Sequence, residues 1–149
     1  MENTAKQFLK RYQTALRYKR RLDQLAYEQY TESMARAQGI HGQMGMKVQS
    51  TARGDAMERA VAHAVDRQRV NLERIEQARL SCDQTLCEIL DVLDAVNDYA
   101  LRDVLFVRYI KGFSFTRIAK QAHVSVQTVY RLHGRALQAV EEILRTRKS

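Results

Sequence analysis

The sequence predicts an all-α protein, a long antiparallel helical hairpin followed by a smaller domain of three shorter helices. Three observations carry this expectation. The 149 residues contain no proline and only six glycines, while Ala, Leu, Arg, Gln and Glu, the residues that lose least on entering a helix, are plentiful. Apolar residues recur at spacings of three and four along two stretches of about 35 to 40 residues each. Beyond Asn97 that long periodicity breaks into shorter pieces. With 45% apolar residues the chain can close a helical core and is no disordered tail.

The first arm starts at Asn3 or Thr4, either of which can cap a helix, and runs to about Gln38. Phe8, Tyr12, Ala15, Leu16, Leu22, Leu25 and Ala26 make its apolar stripe. Four of the six glycines then fall between Gly39 and Gly54, which breaks the helical pattern and predicts a loop over about 39–54. The second arm runs from Asp55 to about Val96, with Met57, Val61, Ala64, Val65, Leu72, Ile75, Leu86, Ile89, Leu90, Leu93 and Val96 in its stripe. Two long stripes joined by one loop pair as an antiparallel, coiled-coil-like hairpin over 1–97, serving oligomerisation or partner binding. Arms of this length exceed what one small core covers, so a homodimer is expected.

Asn97-Asp98 offers a new cap and marks the boundary of the second domain, 98–149. Leu101, Val104, Leu105, Tyr109 and Ile110 share a face of a helix that ends at Gly112, a position suited to a left-handed C-cap. Ser114 caps a short helix, with Phe113 before it placed to staple on Ile118. Phe115, Ile118, Ala119 and Ala122 form the inner face of that helix, and Ala119 supplies the small side chain that two steeply crossing helices need at contact. His123-Val124 make the turn, and Ser125 caps the next helix, with Val124 placed to staple on Val129. Val129, Leu132, Ala136, Leu137 and Val140 run along its buried side. A small residue at the crossing, a three-residue turn and a capped second helix together read as a helix-turn-helix.

Charge points the same way. Residues 1–38 carry eight bases and four acids (+4), 39–54 two bases (+2), 55–98 five bases and ten acids (−5), and 99–149 ten bases and three acids (+7). The C-terminal domain therefore attracts phosphates without regard to sequence. Gln127, Tyr130 and Arg131 lie at i, i+3 and i+4 on the outer side of the second helix, near the end that enters a major groove. Gln pairs with adenine N6 and N7, Arg with guanine O6 and N7, and an aromatic edge contacts a thymine methyl. These three are the expected base-reading residues. Thr116, Arg117, Lys120, Ser125, Thr128, His133 and Arg135 flank them as expected contacts to the DNA backbone.

The segment from Leu101 to Leu137, including VLFVRYIKGFSFTRIAKQAHVSVQTVYRLHGRAL, resembles region 4 of bacterial sigma factors. It is more similar still to the small phage and prophage regulators related to it, including late-gene activators of the RinA and ArpU type. The resemblance rests on Arg108-Tyr109, Gly112, Ile118-Ala119 and Val129-Tyr130-Arg131. It implies a sequence-specific transcription regulator of a phage or mobile element, binding double-stranded DNA in a bacterial host cell. His123 stands where many helix-turn-helix proteins have glycine, and histidine tolerates positive φ better than most residues. Nothing upstream has the aromatic-rich character needed to melt DNA, so a full sigma factor is not expected.

Two rival functions fit the same pattern, an RNA polymerase-binding adaptor using a region 4-like fold and a DNA-packaging recognition subunit. No enzyme is expected, since no nucleophile-base pair, phosphate loop or paired carboxylates stand in a recognisable arrangement. Nor is a cofactor or metal. His41, His63, His123 and His133 are scattered, and Cys82 and Cys87, turned about 140° apart on a helix, neither chelate together nor bridge locally. Both are expected as reduced, partly buried thiols. With no signal-peptide-like stretch and no run of about 20 apolar residues, a cytoplasmic protein without a membrane segment follows.

Overall fold

The computed structural model describes the backbone of residues 4–44 and 51–149, and their side chains outside 37–53. The fold is all-helical: α1 (Thr4–Met44), α2 (Thr51–Asp94), α3 (Tyr99–Leu105), α4 (Phe115–Ala122) and α5 (Val126–Arg147), with one π-turn, Phe106–Ile110, continuing α3. No strand occurs among the described residues.

Most of the expected loop is helical instead. Residues 39–44 belong to α1 and 51–54 to α2, leaving 45–50 outside the described residues. The physical reason is that glycine disfavours a helix by only about 1 kcal/mol relative to alanine. Two isolated glycines at the end of a helix of 41 residues do not stop it.

The chain forms two compact units, and the division falls inside both long helices. The first unit takes α1 up to Arg17, α2 from Leu80, and everything after it; the second is Tyr18–Arg79. The unit holding the C-terminal helices is thus larger than the expected 98–149. Its main core joins Ala5 and Leu9 of α1, Ile89, Val92 and Leu93 of α2, Val96 just after it, Leu101, Leu105 and Tyr109, and Ala136, Leu137 and Val140 of α5. Polar contacts fasten the same elements: the Ala5 N–H donates to Glu141 (2.9 Å), and Arg11 pairs with Glu88 (2.8 Å).

In the second unit α1 and α2 pair side by side, with Asn71 Nδ2 donating to Gln29 Oε1 at 2.6 Å. Several stripe residues stay uncovered: Leu25 is 45% exposed, Val61 47%, Val65 59% and Leu72 58%. Two helices alone lack a third layer to close over them. Between them runs an apolar groove of about 370 Å³ lined by Ala26, Tyr30, Met34, Met57, Val61 and Ala64 among others. Of the two thiols, Cys82 is buried but Cys87 is exposed, against the expectation that both are partly covered, because the five-residue spacing turns Cys87 off the buried face. Neither cysteine is in a disulfide. No described helix is long and apolar enough to cross a membrane.

Candidate nucleic-acid interface

Three local devices set the geometry of α3 to α5. Asp98 caps α3, its carboxylate accepting from the N–H groups of Ala100 and Leu101. At the other end the chain widens into the π-turn, where the Lys111 N–H reaches back to Phe106 O (3.2 Å), and Gly112 then takes φ +75°. Gln13 of α1 closes this corner. Its Nε2 donates to Tyr109 O (3.0 Å) and Ile110 O (2.8 Å), satisfying carbonyls that the helix end leaves open.

The Ser114 hydroxyl accepts from the Arg117 N–H and the Ser125 hydroxyl from the Thr128 N–H, so both caps occur where the sequence places them. Between them His123 is left-handed (φ 54°, ψ 40°), and the Val124 N–H returns to Ala119 O at 3.1 Å. This 6→1 bond is a Schellman closure with histidine in the glycine position. Ala119 is buried against Val104, Ile118 and Val129, with Phe113, Phe115, Val126 and Leu132 packed around them. Two inner-face expectations fail. Ala122 is exposed, because the left-handed turn begins right after it, and Val124 is 41% exposed while Val126 is the residue packed on the cluster.

The outer face is open. Gln127, Tyr130 and Arg131 are all exposed, and a Cβ added at Gly134, one turn further along, would meet nothing within 4 Å. Thr116, Arg117, Lys120, Ser125 and Arg135 are exposed as well, and Thr128 is half-buried with its hydroxyl 2.8 Å from that of Ser125. His133 is the exception among the expected contacts. It is 9% exposed, its Nε2 lies 2.9 Å from Tyr109 Oη, and burial, then Arg108, then Lys6 push its pKa down to about 4. A neutral, buried imidazole is no phosphate ligand. Position 133 sits four residues after Val129 and three before Ala136, which places it on the inward side of α5.

From Val104 to Val140 the chain carries six bases (Arg108, Lys111, Arg117, Lys120, Arg131 and Arg135) and no acid. Arg108 is used internally, donating to Phe113 O (2.9 Å) with its guanidinium 4.4 Å from the centre of the Phe115 ring. Arg117 lies 3.6 Å above the Phe113 ring. Lys120, Arg131 and Arg135 make no ion pair among the described residues. The α5 N-terminus adds partial positive charge beside them, with no acidic residue in its first turn. Phe115 packs against Tyr130 as well, their ring centres 4.6 Å apart. Sequence reasoning missed both this aromatic cluster and the Gln13 clamp. The Phe-Ser-Phe spacing flanked by Arg108 and Arg117 held a signal for the first; a single glutamine in a long helix held none for the second.

Among the described residues no three of His, Cys, Asp and Glu converge as metal ligands. Comparison of the chain with protein families, with curated proteins and with solved structures gave no match.

Proposed function

We propose that the protein is a sequence-specific DNA-binding transcription regulator of a phage or mobile element, whose α4–turn–α5 segment works as a helix-turn-helix of the sigma region 4 type. The observation that carries this reading is the outer face of α5. Gln127, Tyr130 and Arg131 stand exposed on one stripe, within a stretch of 37 residues, 104–140, that has six bases and no acid. The stripe carries the chemistry that reads base edges, and Lys120, Arg117 and Arg135 around it carry the charge that holds phosphates.

In this reading α5 enters the major groove by its N-terminal half, and α4 crosses the backbone. Residues 18–79 bring two copies together, which covers the apolar residues that a two-helix unit leaves exposed, among them Val61, Val65 and Leu72. A dimer of this kind prefers an inverted repeat with half-sites about 10 base pairs, or a multiple, apart. Selection of bound sequences from random duplex DNA by the full chain tests the function. Enrichment of a defined motif is expected; recovery of random sequence would refute specific recognition, and in that case co-purification with RNA polymerase would favour the adaptor instead. Sedimentation at micromolar concentration checks the dimer, and a monomer mass would reject it.

A further inference from the structure

Tyr130 stands 55% exposed in the middle of the outer stripe, yet one side of its ring is covered. It lies against Phe115 with centroids 4.6 Å apart and planes inclined by 38°. Phe115 is in turn held on other sides. The His133 ring meets it edge to face (4.9 Å, 75°), and the Arg108 guanidinium, fixed by its bond to Phe113 O, sits 4.4 Å from its centre. The support reaches the core through His133, which shares a hydrogen bond with Tyr109. Phe115, His133, Arg108 and Tyr109, from α4, α5 and the π-turn, thus converge on the placement of one exposed ring.

We infer that Phe115 is a positioning residue that fixes Tyr130 as an edge reader of the thymine 5-methyl group. The inference rests on the DNA reading above. A ring covered on one side by Phe115 is poorly placed to slip between base pairs or to serve as a stacking platform. It presents an apolar edge and a hydroxyl. On the floor of the major groove the feature that matches an apolar edge is the thymine methyl, which no other base displays. Holding the ring beforehand removes the ordering cost that a mobile tyrosine pays on binding. Gln127 and Arg131 on either side have no such support and supply hydrogen bonds that do not depend on ring placement.

The test uses the full chain and the duplex it selects. Each thymine is replaced singly by deoxyuridine, which removes the methyl group and leaves base pairing intact. One position is expected at which the wild type loses about fourfold in affinity, the value of one buried methyl. Phe115→Leu keeps an apolar side chain in the cluster and should abolish that discrimination while still binding random duplex, and Phe115→Tyr, which retains the ring, should restore it. Phe115→Met replaces the leucine variant if circular dichroism shows that variant to be unfolded. A wild type that selects a site but has no uracil-sensitive position overturns the methyl contact and leaves the DNA reading standing. Discrimination that survives in Phe115→Leu and Phe115→Met overturns the positioning role. Failure of the wild type to select any duplex overturns the DNA reading and this inference with it.

Discussion

The hydroxyl of Tyr109 and Nε2 of His133 lie 2.9 Å apart inside the first unit, their rings nearly parallel at 23°. Burial holds the imidazole neutral, with its pKa lowered from 6.5 to about 4. The unfolded chain therefore takes up this proton first. Stability is full above about pH 6.5 and falls as pH drops toward about 4, below which both states are protonated. The loss is at most about 3 kcal/mol. Urea midpoints measured from pH 7.5 to 4.5 should show the decline beginning near pH 6.5, and His133→Gln should flatten its upper part. An unchanged profile in the variant would place the titration elsewhere.

The Gln13 clamp predicts a long-range effect on stability. Gln13→Ala leaves two part-buried carbonyls, of Tyr109 and Ile110, without their donor, and should cost about 1–3 kcal/mol. Gly112→Ala should cost about 1–2 kcal/mol for a separate reason, the left-handed backbone at φ +75°. Both are read from urea midpoints of the full chain. A midpoint unmoved by Gln13→Ala would mean that water serves those carbonyls equally well.

The sequence made local features legible and long-range ones opaque. Ser114, Ser125, Asp98 and Gly112 announce themselves because a cap or a left-handed turn is decided by residues within four positions of it. The buried faces of α3 to α5 follow from their period. His133 was misplaced because a polar residue on the border of an apolar stripe reads as surface, and only the approach of Tyr109, 24 residues away, gives it a partner. The same holds for Ala5 and Leu9, fully buried although the periodicity gave them no place in the stripe of α1. Their burial depends on α2 and α5, which no local pattern encodes. The glycine cluster misled in the opposite sense, since its helix penalty is small against a long run of helix formers.

Salt dependence examines the charge of the proposed interface. With His133 withdrawn from the phosphate contacts, Arg117, Lys120 and Arg135 remain as the flanking cations. If these three neutralise one phosphate each, log affinity against log salt should have a slope of about −2.7. Lys120→Ala should weaken binding to all duplexes alike and reduce the slope by about one. His133→Gln, by contrast, should leave the slope unchanged, since a buried neutral ring displaces no counterion. A flat salt response in the wild type would sink the phosphate-contact model, and an effect of Lys120→Ala confined to one sequence would reassign that residue to base reading.

Arg131 separates specific DNA recognition from polymerase docking. It is exposed on the outer stripe, makes no ion pair among the described residues, and lies one position before Leu132, which packs against both cores. If its guanidinium reads a guanine, Arg131→Ala should cost about 1–3 kcal/mol on the selected site and relax specificity at one base pair. Binding to random duplex should barely change, because phosphate contacts carry that affinity and base contacts carry the difference. Should the domain chiefly dock on polymerase, the same substitution would leave a weak DNA preference as it was and alter only co-purification with the enzyme. Equal losses on selected and random duplex would place Arg131 on the phosphate backbone and count against both readings. Circular dichroism of the variant belongs in the experiment, since a helix disturbed next to Leu132 would mimic a lost contact.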